Sequence, residues 1–237
     1  HNTLRRQRQM CIRDSYMSKN VLVIGTGTIG EPLIGLLAEH KESLGLDKVI
    51  FFKRTPLSEE RGKVEALIRK GAEIVSTNDA ISEFHQLGFN ETKDVELAYE
   101  EADVIIDCTP SGNDNWETVY SSLSQDKRFL AQGSEHGFGP FFAWGINNEI
   151  LSDDSNKFLI ASCNTHNIAS IVKSFALDQQ RNLTEGKFVC LRRANDVSQN
   201  DSFSPSPTIT KHTNQAFGTH HARDVYELFA QEGKELN

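Results

Sequence analysis

Residues Val21–Gly30 read VLVIGTGTIG, a short apolar run followed by three spaced glycines. The four apolar residues Val21–Ile24 are too few for a buried helix and suit a buried strand. Gly25, Gly27 and Gly30 follow in the spacing GxGxxG, and a helical pattern begins after them. In that position the first glycine permits a tight turn, the second a close approach of a pyrophosphate, and the third close helix–strand packing. The segment therefore predicts a dinucleotide site, and a glycine-rich turn without a ligand is the alternative.

Short β-branched runs alternate with helical patterns along most of the chain, which is typical of a parallel sheet covered on both faces. We predict an α/β fold, a doubly wound parallel Rossmann sheet followed by the first part of an α+β domain. The predicted strands are 21–24, 49–52, 73–75, 104–108, 129–131, 158–161 and 188–192; the predicted helices are 33–45, 58–70, one ending at 88, 94–102, 116–123 and 165–180. The very apolar strand 104–108 is expected at the centre of the sheet.

The first sixteen residues, HNTLRRQRQMCIRDSY, precede Met17 and lack an apolar signal-peptide core. We expect this leader to be non-native and dispensable for folding, and a basic arm that binds nucleic acid is the alternative. The expected domains are then 1–16 for the leader, 17–161 for the NAD(P)-binding Rossmann domain and 162–237 for an incomplete catalytic domain. The second is expected to be incomplete because its apolar pattern, after a long polar stretch, resumes only shortly before Asn237.

Composition disfavours two classes of partner. The chain has 237 residues, 38% hydrophobic and 24% charged, as is ordinary for a globular protein. No run approaches the roughly 20 apolar residues of a membrane-spanning helix. The leader holds four arginines and one aspartate, so without it the 25 basic and 33 acidic residues become 21 and 32, a net charge of −11. This acidic body argues against nucleic acid and anionic membranes as partners.

The four cysteines are Cys11, Cys108, Cys163 and Cys190. They are too sparse for a disulfide scaffold or paired zinc ligands, so no metal is expected and a cytoplasmic location is predicted. Cys108 and Cys190 lie in apolar runs and are predicted to be buried and inert. Cys163 lies in the polar sequence ASCNTHNIAS at a predicted helix start, where the helix dipole favours a nucleophilic thiolate. Asn164 and the first helical amides are candidates to hold an oxyanion.

Lys53, Arg54 and Thr55 follow the second predicted strand, about 20 residues past the glycine motif, where an NAD-specific site usually places an acidic residue. Two cations and a hydroxyl suit a 2′-phosphate, so NADP is favoured over NAD. A solvated basic turn is the alternative. The pairs Arg192–Arg193 and His220–His221 would suit a phosphorylated substrate, and solvated surface residues are again the alternative.

The chain resembles the type II glyceraldehyde-3-phosphate dehydrogenases typical of archaea in seven segments, VLVIGTGTIG, KRTP, VIIDCTPSGN, AQGSEHG, ASCNTH, LRRAND and THHARDV. The likeness runs from Met17 to the C-terminus, and SCNT, RRA and HH are its most specific elements. The resemblance implies a cytoplasmic, homotetrameric oxidoreductase of glycolysis and gluconeogenesis. It would oxidise glyceraldehyde 3-phosphate with NAD or NADP and inorganic phosphate to 1,3-bisphosphoglycerate, through a thioester on Cys163.

Motif and resemblance together imply two sets of site residues. The cofactor set is Gly25, Gly27, Thr28, Ile29, Gly30, Lys53, Arg54, Thr55, Pro110, Gly133, Ser134 and Arg193. The substrate set is Ser162, Cys163, Asn164, Thr165, His220, His221 and Ala222. Three positions depart from the family's usual residues, since Ser134 and Ala222 replace glycines and His166 replaces a threonine. The family's catalytic histidine falls beyond Asn237, so this chain is expected to bind cofactor but to turn over poorly.

Other functions share parts of this pattern. Aspartate-semialdehyde dehydrogenase and acylglutamyl-phosphate reductase also combine a Rossmann domain with a catalytic cysteine, but the HH pair and RRA argue against them. A non-catalytic nucleotide-binding module in which Cys163 is oxidised instead of acylated is the alternative from another class. A histidine-containing strand after Asn237 would favour the enzyme.

Overall fold

The computed structural model describes residues 19–132, 135–152, 154–177, 185–190, 216–231 and 233. Within them the chain forms an α/β fold with parallel strands and intervening helices, so the predicted Rossmann-like fold class is confirmed. The chain forms two compact units, the first His1–Cys108 with Leu123–Arg128 and the second Thr109–Ser122 with Phe129–Asn237. The domain boundary expected near residue 161 stays a prediction. None of the helices in the described ranges is long and apolar enough to cross a membrane.

The first unit contains five parallel strands in the order β4-β3-β2-β1-β5. The strands are β1 (Lys19–Ile24), β2 (Leu46–Phe52), β3 (Glu73–Ser76), β4 (Lys93–Asp94) and β5 (Val104–Asp107). The helices are α1 (Gly30–Glu39), α2 (Arg61–Arg69), α3 (Ile81–Gln86) and α4 (Val95–Glu101). The strand order reverses at β1, with β2 on one side and β5 on the other. Ligands of such sheets bind outside the carboxyl ends of the strands at this reversal.

The register of the sheet brings three candidate segments to one edge. Ile24 at the end of β1 is paired with Phe52 of β2 and with Asp107 of β5. Three adjacent strands therefore end side by side, and they are followed by the glycine turn, the KRT segment and Cys108. Alternate strand residues enter a core shared with α1 and α2, which includes Val21, Val23, Val49, Phe51, Ile34 and Leu67.

The second unit contains three parallel strands in the order β6-β8-β7. Its elements are α5 (Gly112–Thr118), β6 (Arg128–Gln132), β7 (Phe141–Phe142), β8 (Lys157–Ile160), α6 (Cys163–Val172) and α7 (His220–Ala230). Aromatic rings pack in its interior, where Phe129 contacts Trp116 edge-on at 5.2 Å and stacks on Tyr120 at 5.7 Å between ring centroids. This packing fixes β6, and α6 begins directly beyond the end of β8.

Several predicted elements differ from the structure. The helix predicted over 33–45 is α1, which ends at Glu39. The helix predicted over 165–180 is α6, which ends at Val172 and is followed by a π-helical turn over Lys173–Leu177. The helix expected over 116–123 is α5, which begins at Gly112 because the carboxylate of Glu135 accepts a hydrogen bond from the amide of Asn113 at 2.8 Å. The strand expected over 188–192 is absent from its described part, 188–190, where no other strand is paired with it. Val189 there is 86% exposed. Cys190 is exposed as well, so its predicted burial is wrong.

Candidate functional site

The glycine turn has the geometry that its sequence predicts. Gly25 has φ +96°, a left-handed conformation that disfavours residues with a side chain. A β-carbon at Gly30 would overlap the carbonyl oxygen of Gly25 and lie 3.3 Å from the β-carbon of Cys108. Gly27 is exposed, and a β-carbon there would meet no atom within 4 Å. The first and third glycines thus serve the fold, while the second leaves open space above the turn.

The start of α1 suits a phosphate group. Ile29 is the N-cap residue and makes no side-chain capping hydrogen bond, while the backbone carbonyl of Gly27 accepts a hydrogen bond from the amide of Glu31 at 3.0 Å. A pyrophosphate commonly supplies oxygen acceptors at a helix N-terminus, where the helix dipole also favours negative charge. Together with the open space at Gly27, this arrangement fits a dinucleotide.

The predicted 2′-phosphate site contains a carboxylate that the FFKRT segment does not show. Lys53 is only 7% exposed and forms an ion pair with Glu60, whereas Arg54 and Thr55 are exposed. Glu60 lies in the 3₁₀ turn Ser58–Glu60 that leads into α2. Glu60 is not among the residues that the sequence predicts for this site. The acidic pair Glu59–Glu60 just ahead of α2 was the available signal.

A chain of ion pairs extends from Lys53 to the first turn of α1. The other carboxylate oxygen of Glu60 is 3.2 Å from Nζ of Lys63, which is itself 3.3 Å from the carboxylate of Glu31. Burial alone would raise the pKa of Glu60, but the hydrogen bonds and charges of Lys53 and Lys63 outweigh this effect and lower it. The Glu60 carboxylate is therefore ionised at neutral pH.

Two titratable side chains, the thiol of Cys108 just after β5 and the phenol of Tyr99 in α4, are held in their neutral forms. Burial and, to a smaller extent, the charge of Asp107 raise the pKa of the Cys108 thiol to about 12. Burial and the charges of Glu96 and Asp107 likewise raise the pKa of Tyr99 to about 12. Cys108 is half-buried and not fully buried, yet its thiol stays protonated at neutral pH, which agrees with the inert role predicted for it.

Cys163 is the first residue of α6, and it is exposed. Ser162 caps this helix, since its hydroxyl accepts a hydrogen bond from the amide of Thr165 at 3.3 Å. The two hydroxyl oxygens of Ser162 and Thr165 are 2.9 Å apart. The predicted strand-to-helix position of the thiol is therefore what the structure shows, with polar side chains on the same helical turn.

The HH pair lies against this turn. Nδ2 of Asn164 is 3.3 Å from Nε2 of His221, and Oγ1 of Thr165 is 3.4 Å from its Nδ1. His220 and His221 open α7, with ring centroids 3.9 Å apart. The N-termini of α6 and α7 thus meet, and two motifs 57 residues apart in the sequence come into contact.

Some of the remaining predicted site residues lie in the described part of the chain, and others lie outside it. Thr219 caps α7, because its hydroxyl accepts a hydrogen bond from the amide of Ala222 at 3.0 Å. Pro110 is exposed in the second unit. His166, which departs from the family, is hydrogen-bonded through Nε2 to the carbonyl oxygen of Trp144 at 3.0 Å. Gly133, Ser134, Arg192 and Arg193 lie outside the described residues.

The parallel sheet with its glycine turn at the strand reversal defines a Rossmann-like fold, and sequence comparison shows which known proteins the chain resembles. The chain is 28% identical over 185 residues to the glyceraldehyde-3-phosphate dehydrogenase of Methanobrevibacter smithii, covering 76% of this chain and 52% of that protein. The corresponding enzyme of Sulfurisphaera tokodaii is 26% identical over 216 residues, covering 86% and 57%. The resemblance to archaeal-type glyceraldehyde-3-phosphate dehydrogenases is therefore confirmed.

The extent of these similarities is limited. The chain spans about half the length of the curated relatives it matches. No protein-family model matches it. Among solved structures, a glucose dehydrogenase of Haloferax mediterranei in complex with NADP, Zn and gluconolactone is similar with a TM-score of 0.36 and 16% identity, covering 61% of this chain and 36% of that one.

Proposed function

We propose that the chain is part of an NAD(P)-dependent glyceraldehyde-3-phosphate dehydrogenase, which oxidises its substrate with inorganic phosphate to 1,3-bisphosphoglycerate. The observation that carries this proposal is the contact between the SCNT and HH motifs. An exposed Cys163 begins α6, and the next two residues, Asn164 and Thr165, contact His221. A thiol beside polar side chains and two helix N-termini suits an aldehyde that carries a phosphate.

The cofactor would be held by the glycine turn and the start of α1. Gly27 leaves room for the pyrophosphate, and Thr28 and Ile29 lead into the uncapped helix. Arg54 and Thr55, exposed at the end of β2, are available to a 2′-phosphate. A nicotinamide cofactor supplies the acceptor for a hydride.

Cys163 would act as the nucleophile. Its thiolate adds to the aldehyde carbon and forms a carbon–sulfur bond, while the carbonyl oxygen takes up a proton. Loss of the proton from that oxygen to solvent or a base, together with transfer of the hydride on the same carbon to an oxidised nicotinamide, would leave a thioester on Cys163. An oxygen of inorganic phosphate then attacks the thioester carbon, the carbon–sulfur bond breaks, and the acyl phosphate leaves with the thiolate restored.

The polar residues around the thiol would bind the substrate. Asn164 carries an amide that can donate to the developing oxyanion, and His221 can pair with the substrate phosphate when protonated. The N-termini of α6 and α7 add favourable dipoles for the same anion. We further propose that the complete protein is a cytoplasmic homotetramer, on the strength of the resemblance alone.

The test is substitution of the nucleophile in the complete gene product. Cys163→Ser is expected to abolish phosphate-dependent reduction of NADP⁺ by glyceraldehyde 3-phosphate, followed by absorbance, while cofactor binding is unchanged. Cys108→Ser is the control and should retain most activity, because that thiol is protonated. Full turnover in Cys163→Ser would refute the proposed mechanism.

A further inference from the structure

We propose that Glu60 weakens the preference of the cofactor site for a 2′-phosphate by competing for Lys53. This inference rests on the proposed cofactor site. In the sequence, Lys53 stands among two other residues that favour a phosphate, and no acid is next to it. In the structure, the Glu60 carboxylate occupies that lysine. Glu60 is thus a specificity-determining residue that the strand end alone does not show.

The geometry makes the two anions mutually exclusive at Lys53. The ammonium side chain is 8% exposed, so almost all of it is covered by protein. Since Glu60 holds this nearly covered ammonium group, we infer that a 2′-phosphate binding to Nζ would displace Glu60. Two anions on one buried cation would also repel each other strongly, because the surrounding dielectric is low. Arg54, by contrast, is exposed at its surface position.

The ion-pair chain provides a second place for the displaced carboxylate. Lys63 already contacts Glu60 at 3.2 Å and also holds Glu31. When a 2′-phosphate takes Lys53, the Glu60 carboxylate keeps Lys63 as its partner and is not left as an unpaired charge. The displacement therefore has a moderate free-energy cost, which lowers the affinity for NADP without preventing its binding. NAD carries no 2′-phosphate and does not disturb the pair.

The experiment measures dissociation constants of NADP⁺ and NAD⁺ by calorimetry for the wild type and Glu60→Gln. Glutamine keeps the shape of the side chain and removes its charge. NADP⁺ is expected to bind about five- to tenfold more tightly to Glu60→Gln, and NAD⁺ to change less than about twofold. Glu59→Gln is the matched control, because it makes the same change in net charge one residue away at an exposed position. It should leave the ratio of the two constants unchanged.

A second background tests whether the effect passes through Lys53. Lys53→Met should weaken NADP⁺ binding, and adding Glu60→Gln to it should give no further gain. Two results would overturn the role of Glu60 while leaving the proposed cofactor site in place. One is an unchanged ratio of the NADP⁺ and NAD⁺ dissociation constants in Glu60→Gln, and the other is an equal gain in NADP⁺ affinity in the Lys53→Met background. Weaker NADP⁺ binding in Glu60→Gln does the same, because it would mean that Glu60 presents Lys53 to the phosphate. Failure of the wild type to bind either nucleotide overturns the proposed cofactor site as well.

Discussion

Gly27 and Gly30 belong to the same turn, yet a methyl group would meet entirely different surroundings at the two positions. At Gly30 it would overlap the backbone oxygen of Gly25, and at Gly27 it would meet nothing within 4 Å. Both roles follow from the GxGxxG spacing once a strand precedes it and a helix follows it. The sequence was sufficient here because turn, strand and helix are all local.

Alanine at each glycine should separate folding from binding. Gly30→Ala is expected to destabilise the protein by about 1–3 kcal/mol or more, because backbone has to move. Gly27→Ala should change the melting temperature little but weaken NAD(P)⁺ binding at least about tenfold, since its methyl group would occupy the space of the pyrophosphate. Thermal unfolding and calorimetry measure the two effects. Equal destabilisation by both substitutions would contradict the assignment.

The three described cysteines differ in what local sequence could predict about them. Cys163 is exposed at a helix start and Cys108 is held protonated, both as predicted. Cys190 is exposed, contrary to prediction, because an apolar run becomes buried only if another element covers it. Local sequence does not contain that partner.

Alkylation distinguishes these thiols in a Cys11→Ser/Cys190→Ser background. Iodoacetamide at neutral pH should modify Cys163 well before Cys108, measured by peptide mass spectrometry. Raising the pH to about 9 should leave Cys108 largely unmodified, because its pKa of about 12 keeps nearly all of the thiol protonated there. Glyceraldehyde 3-phosphate should protect Cys163. Faster labelling of Cys108 would contradict the assignment of the nucleophile.

Among the elements, the central strands with continuous apolar runs were predictable, whereas the short strands β4 and β7 and the partners of polar groups were not. Apolar runs identified β1, β2 and β5, because buried parallel strands are continuously hydrophobic. The start of α5 depends on Glu135, and the environment of Lys53 depends on Glu60. Both are carboxylates from outside the segment concerned, so neither local pattern could reveal them.

Helix caps offer a test at this scale. Thr219→Ala removes the hydroxyl that accepts from the amide of Ala222, and should destabilise α7 by about 0.5–2 kcal/mol in urea unfolding. It should also reduce activity of the complete protein, because α7 carries His221. Asp94→Ala removes the comparable cap of α4. Asp94→Ala is the control, and it should lower the free energy of unfolding by a similar amount without reducing activity beyond what that loss of stability explains. An equal loss of activity in Asp94→Ala and Thr219→Ala would contradict a specific role for α7.

At the scale of the whole molecule, the charge of the chain gives no help in binding an anionic cofactor. The formal net charge is −8, so attraction has to come from local groups such as Arg54 and the start of α1. The sequence predicts NADP over NAD from these local cations, while the structure adds Glu60 as an opposing charge. The balance between them is therefore a measurable property of the folded protein.

Ligand-linked stability measures this balance. NADP⁺ at about 100 times its dissociation constant should stabilise the folded protein by about 2.7 kcal/mol, and raise its melting temperature accordingly. At equal concentration, NAD⁺ should give a smaller increase, and Arg54→Ala should reduce the difference. A larger increase with NAD⁺ in the wild type would contradict the predicted preference.

The proposed mechanism depends on a thioester that forms on Cys163 during oxidation of a phosphorylated aldehyde, and mass spectrometry can detect this intermediate. The complete protein is mixed with glyceraldehyde 3-phosphate and NADP⁺ without inorganic phosphate, quenched in acid and digested. We predict a 3-phosphoglyceroyl adduct on the peptide containing Cys163, which requires the oxidised cofactor and disappears when inorganic phosphate is added. Absence of the adduct while NADPH is formed, or its presence on another residue, would contradict the assignment of Cys163 as the nucleophile.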